Sequence, residues 1–156
     1  MNNLNINAKI GIFSYNELNS EEKLLIDNAK EATSRSYSPY SEFSVGAAVR
    51  LSGGEIVTGS NQENVAYPSG LCAERTAIFY ANSQHPGRAV EALAVAAFTK
   101  GDFTENPVSP CGACRQVILE TELRYRQAVK IYLYGKSKIY VIDGIKDLLP
   151  LAFDSL

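Results

Sequence analysis

The sequence predicts an α/β fold, a sheet layered with helices, on three observations. Segments with apolar residues at helical spacing alternate with short runs rich in Val, Ala and Ile, so each helix must bury its face against strands. Glycine-centred turns punctuate the β-rich runs. The chain has 156 residues, 46% of them hydrophobic and 21% charged, an ordinary balance for one core; a chain of this size buries roughly 70% of its unfolded surface. A second independent domain is not expected.

The elements follow in chain order. Ala8 to Phe13 alternates enough for a short strand or an ordered arm, so residues 1–19 are read as an N-terminal arm and 20–156 as a single domain. From Ser20 to about Tyr37, Leu24, Leu25, Ala29 and Ala32 recur at helical spacing, with Ser20 as N-cap and Lys23 where a capping box would carry Glu. Phe43 to Leu51 and Glu55 to Ser60 flank Ser52-Gly53-Gly54 and read as a hairpin. Cys72 to Asn82 holds strong helix formers without proline, and Ala89 to Thr99 is an apolar run suited to a buried strand. Lys100 to Pro110 carries Gly101, Asp102, Asn106 and two prolines, and reads as a loop delivering a helix over Cys111 to Leu123. Val129 to Tyr134 and Ser137 to Val141 are strands split by Gly135, and Ile145 to Leu149 is a last helical turn stopped by Pro150. Five strands result, covered by helices on at least one face.

Several function classes drop out. No apolar run approaches the roughly 20 residues a membrane helix needs. Met1 to Asn7 lacks the basic region and apolar core of a signal peptide, which points to the cytoplasm and reduced thiols. The formal charge of -2, with both signs mixed along the chain, offers no footprint for a nucleic-acid backbone. The nine tyrosines therefore read as core and interface, not as base-stacking platforms. His85, the only histidine, sits in a turn and reads as a surface residue.

The chemistry gathers at the three cysteines, an odd count that suits metal better than a disulfide framework. Structural zinc is closed by four protein ligands, whereas a catalytic site keeps three and leaves the fourth position for water. Pro110 is suited to a helix start, which puts Cys111 and Cys114 one turn apart on one face. The dipole of such a helix favours thiolate, the form that binds metal. Glu74, two positions from Cys72, shares the opening turn of the preceding helix and is placed either to shuttle protons to water at the metal or only to stabilise the helix N-terminus. Asn61 and Glu63 leave a strand end two residues apart, so both side chains can converge on one ligand hydroxyl; the bland alternative is that they finish a turn. An amide and a carboxylate suit hydroxyls and reject phosphate, favouring a nucleoside over a nucleotide.

These residues resemble a known family, the zinc-dependent cytidine deaminases of the small homotetrameric kind. The resemblance runs from about Ala29 onward through Tyr37-Ser38-Pro39-Tyr40-Ser41, Phe43-Ser44-Val45-Gly46-Ala47-Ala48, Asn61-Gln62-Glu63-Asn64, Cys72-Ala73-Glu74-Arg75-Thr76-Ala77, Pro110-Cys111-Gly112-Ala113-Cys114-Arg115-Gln116 and Leu148-Leu149-Pro150. A ligand-x-Glu followed by Pro-Cys-x-x-Cys is the signature of zinc deaminases. The resemblance implies a three-layer α/β/α sandwich around a mixed five-stranded sheet. It implies one zinc per chain on Cys72, Cys111 and Cys114, Glu74 as general acid and base, and Arg75 donating hydrogen bonds to ligand sulfurs. It further implies ribose held by Asn61 and Glu63, Phe43 as an aromatic wall beside the pyrimidine, and the Ala73 backbone on the ring carbonyl. Phe153 matches a phenylalanine contributed across a subunit interface, although Leu151 replaces the family's small residue; Arg115 and Gln116 take structural roles. The implied reaction is hydrolytic deamination of cytidine and deoxycytidine in pyrimidine salvage, by a homotetramer with active sites at its subunit interfaces. Rivals are deamination of another cytosine-bearing small molecule such as a blasticidin-type nucleoside, polynucleotide editing, against which the acidic balance counts, and a non-catalytic zinc-stabilised module, which would need a fourth protein ligand or a ligand shared between chains.

Overall fold

Period-two alternation along the strands sorts the chain into three layers. The computed structural model describes residues 1–155, with strands β1 (Gly11–Phe13), β2 (Ser44–Leu51), β3 (Ile56–Ser60), β4 (Val90–Thr99), β5 (Asp102–Phe103), β6 (Lys130–Tyr134) and β7 (Ile139–Ile142), and helices α1 (Ser20–Ala32), α2 (Ala73–Gln84) and α3 (Gly112–Tyr125). Ala47, Val49 and Leu51 of β2, with Leu93 and Val95 of β4, bury one sheet face against Ala77, Ile78 and Ala81 of α2 and Ile118 and Leu119 of α3. Ala48, Ala92, Ala94 and Ala96 turn the other way and pack on Leu25, Ile26 and Ala29 of α1. The result is an α/β/α sandwich, as expected.

The sheet order is β1-β7-β6-β4-β2-β3, with β5 paired to β4. Every pair is antiparallel except β4 with β6, the pair that α3 connects. A parallel pair requires a crossover, and this one brings the start of α3 beside the start of α2 on one face. Small residues let the layers close. A Cβ on Gly46 of β2 would lie 2.0 Å from the Ala29 carbonyl oxygen of α1, and one on Gly59 of β3 would lie 2.5 Å from the Ala77 nitrogen of α2.

The five expected strands are β2, β3, β4, β6 and β7, and two short ones join them. Within the expected loop after β4, Lys100 (φ 54°) and Gly101 (φ 84°) make a tight turn that folds β5 back onto β4. Within the N-terminal arm, Gly11–Phe13 pairs with β7 at the sheet edge.

The N-cap of α1 is Asn19, not Ser20. With that shift the capping box is complete, because Glu22 N–H donates to Asn19 Oδ1 and Asn19 N–H donates to Glu22 Oε2, both at 3.0 Å. The helix stops at Ala32 and tightens into a 3-10 turn over Thr33–Arg35, short of the expected Tyr37. Glu22 also binds the sheet, where Oε1 accepts the Tyr132 hydroxyl at 2.8 Å and lies 3.4 Å from Lys130 Nζ of β6. Among the described residues no helix is long and apolar enough to cross a membrane.

Candidate metal centre and active site

The two helices that share one face of the sheet each begin at a cysteine. Cys72 is the N-cap of α2, Cys111 is the N-cap of α3, and Cys114 lies in the first turn of α3. Neither helix has a side-chain oxygen capping its first N–H groups, so two positive helix ends are free to favour negative sulfur. The chain reaches these positions by short pairings. Gln62, just past β3, exchanges backbone hydrogen bonds of 2.9 Å with Leu71, which sets Cys72 beside the end of β3. Arg115 Nε donates to the Pro110 carbonyl at 2.9 Å and Nη1 to the Leu148 carbonyl at 2.6 Å, fixing the residue before Cys111 against the C-terminal segment.

The three sulfurs lie within 4.8 Å of one another, with Cys72 Sγ and Cys111 Sγ 3.8 Å apart. Tetrahedral zinc with bonds of roughly 2.3 Å spaces its sulfurs at roughly 3.8 Å, so the set fits the ion with only a small contraction. Among the described residues no fourth His, Cys, Asp or Glu joins the group. The described residues of one chain thus supply three ligands, one fewer than a closed structural centre requires. His85 is elsewhere, its Nε2 3.3 Å from Glu55 Oε1.

Charge in the site is unevenly shared. Hydrogen bonds from Cys114 and then from Arg75, whose Nη2 is 3.4 Å from the sulfur, hold the Cys72 thiol down to about 5. The Cys114 thiol is pushed upward by its bond to Cys72 and by its burial. Metal ligation requires the thiolate, so zinc binding releases protons from the group. Arg75 Nη2 reaches the sulfur of Cys72, and its Nε is buried without a partner among the described residues.

Glu74 is 5% exposed. Burial, with the charge of Cys72 adding to it, raises its carboxyl above the ordinary range, so the group is disposed to hold a proton; a bound divalent cation acts in the opposite sense. It lines a cavity of about 170 Å³ together with Val45, Asn61, Cys72, Ala73 and Cys111. A larger cavity of about 450 Å³, lined by Tyr40, Ser41, Glu63, Tyr67 and Arg75, shares Asn61 and Cys72 with it. Of the two, only the smaller is lined by Glu74.

Asn61 is nearly saturated by the protein. Its Oδ1 accepts from Ser36 Oγ at 2.5 Å and from the Val45 N–H at 2.8 Å, and its Nδ2 donates to the Phe43 carbonyl at 2.9 Å, leaving one N–H for a ligand. Glu63 Oε2 accepts the N–H groups of Tyr40 and Ser41 at 2.9 and 3.3 Å, and Oε1 accepts the Ser41 hydroxyl. These bonds, that from the Ser41 hydroxyl foremost, hold the carboxyl below its usual range. Phe43 is tied to both partners through its backbone, but it lines neither cavity. Phe153 is 69% exposed and lines neither cavity; its carbonyl accepts from Gln116 Nε2 at 2.8 Å. Ser36 and Ser41 were not singled out from the sequence, because their partners are 25 and 22 positions away.

Residues 19–129 match the family model described as the cytidine and deoxycytidylate deaminase zinc-binding region. A cytidine deaminase of Sporosarcina psychrophila is 53% identical over 129 residues, covering 83% of this chain and 88% of the relative. One from Halalkalibacterium halodurans is 41% identical over 133 residues, covering 85% and 94%. Among solved structures, the cytidine deaminase of Burkholderia pseudomallei superposes with a TM-score of 0.71 at 39% identity, covering 83% of this chain and 97% of that one.

Proposed function

The chain belongs to the cytidine and deoxycytidylate deaminase family, and from that premise we propose that it hydrolyses cytidine and deoxycytidine to uridine and deoxyuridine with release of ammonia. The observation that carries this reading is the buried Glu74 carboxyl in one cavity with two of three clustered cysteines and no fourth ligand among the described residues. Cys72, Cys111 and Cys114 would hold one zinc, which would supply a Lewis acid that makes water nucleophilic near neutral pH. Arg75 offsets the negative charge of three thiolates by donating to Cys72.

Glu74 carries the protons. It accepts one from the attacking water, delivers it to the ring nitrogen next to the amine-bearing carbon, and assists the amine as it departs. Its burial suits it to both halves of that cycle, because a carboxyl poised nearer neutrality gives and takes protons more readily. The Ala73 backbone meets the ring carbonyl oxygen. Asn61, with its one spare N–H, and Glu63, with its spare acceptor, take the sugar hydroxyls, and Phe43, which lines neither cavity in the single chain, is proposed from the family resemblance to come against the base once substrate is bound. Phe153, exposed in the single chain, reaches the site of a neighbouring subunit in a homotetramer. Solution in the cytoplasm and a place in pyrimidine salvage complete the proposal.

Zinc-loaded protein mixed with cytidine is expected to lose cytosine absorbance, with uridine and ammonia in equal amounts. Turnover of a blasticidin-type nucleoside in preference to cytidine would overturn the substrate assignment while leaving the metal chemistry in place.

A further inference from the structure

Ser41 stands between two residues proposed to meet the substrate. Its Oγ donates to Glu63 Oε1 and accepts the Phe43 N–H at 3.1 Å. A carboxylate only accepts and an amide N–H only donates, so the hydroxyl proton points at Glu63. The Ser41 and Tyr40 N–H groups close on the other oxygen, Oε2. Each carboxylate oxygen offers about two acceptor sites. Oε2 has both filled and Oε1 has one filled, so the free site is on Oε1, the oxygen that Ser41 grips. Both residues line the larger cavity.

The turn that carries Ser41 is itself anchored. Glu42 adopts φ 53°, its N–H donates to the Ser38 carbonyl at 3.0 Å, and its carbonyl accepts Thr99 Oγ1 at 3.1 Å from the end of β4.

We infer that Ser41 is a positioning residue: its hydroxyl locks the Glu63 carboxylate before the ligand arrives, leaves one acceptor site on Oε1 for a sugar hydroxyl, and ties that site to the backbone of Phe43. The inference rests on the reading that Glu63 receives a sugar hydroxyl. Ser41 does not touch the reacting atoms, so its loss removes binding shared by ground state and transition state and raises KM while sparing kcat.

The test compares Ser41→Ala, Ser41→Thr, Glu63→Gln and the double variant Ser41→Ala with Glu63→Gln, all zinc-loaded, with cytidine as substrate. Ser41→Ala is expected to raise KM about tenfold, the effect of losing a charge-assisted hydrogen bond, with kcat within about twofold, full zinc content and an unchanged melting temperature. Ser41→Thr restores KM. In the Glu63→Gln background, Ser41→Ala costs little more, since both changes break one device. An unchanged KM in Ser41→Ala, a loss fully additive with that of Glu63→Gln, or a fall confined to kcat or to zinc content overturns the inference. If Glu63→Gln alone leaves KM at the wild-type value, or the wild type does not turn over cytidine, the reading of the site fails first.

Discussion

Glu22 shows how one side chain joins a helix end to the sheet. Burial pushes its carboxyl up, but the Asn19 N–H, the Tyr132 hydroxyl and Lys130 outweigh that and hold it below the ordinary range. A carboxyl depressed in the folded state contributes stability above its unfolded value, roughly 4.3, and loses that contribution as pH falls through the lower folded value. Glu22→Gln is therefore expected to destabilise by about 1 to 2 kcal/mol at neutral pH, with a gap to wild type that narrows below about pH 4, measured by denaturant unfolding across pH. A gap independent of pH would remove the charge from the account. Legibility at this scale follows sequence distance. Cys72 and Glu74 share one turn, as do Cys111 and Cys114, so each pair is legible locally, whereas the meeting of Cys72 with Cys111 across 39 positions is legible only through the family resemblance. The grip of Ser41 on Glu63 spans 22 positions, and nothing in either segment alone announces it.

At the scale of elements, the layers are set by where side chains are absent. Gly46 and Gly59 face the backbones of α1 and α2, and any Cβ there meets peptide atoms that cannot swing away. Gly46→Ala is expected to cost about 3 kcal/mol or more by forcing α1 off the sheet. Gly87, where a Cβ meets nothing within 4 Å, serves as the control and should tolerate alanine with little change. Equal thermal stability of the two variants would contradict the packing described. α1 was legible from its helical period, whereas α2 was legible from strong helix formers without proline, α3 from the proline that precedes it, and β4 from an unbroken apolar run. β5 was missed because its turn puts a positive φ on Lys100, a residue that gives no turn signal. The N-cap of α1 was misplaced by one residue because Asn19 and Ser20 are both good caps, and only Glu22 at the third helical position decides between them.

The whole molecule brings two helix N-termini to one end of the sheet through the parallel β4–β6 pair, and the proposed catalytic residues are placed by that convergence. Tyr67, Leu151 and Phe153 are exposed around this chain. If the proposed homotetramer buries them, the solution mass is expected to be that of four chains, about four times 17.0 kDa, by light scattering. Phe153→Ala should then weaken cytidine turnover without removing zinc; a monomer of full activity would refute the shared site. The central claim is that the three cysteines hold the metal while Glu74 moves the protons without binding it. Its most direct test is to measure zinc content and cytidine turnover together in Glu74→Gln. The account predicts one zinc per chain and turnover reduced by a factor of at least about 100, the scale of a lost general acid and base. A zinc-loaded Glu74→Gln variant with near-normal turnover, or one that has lost its zinc, would contradict it.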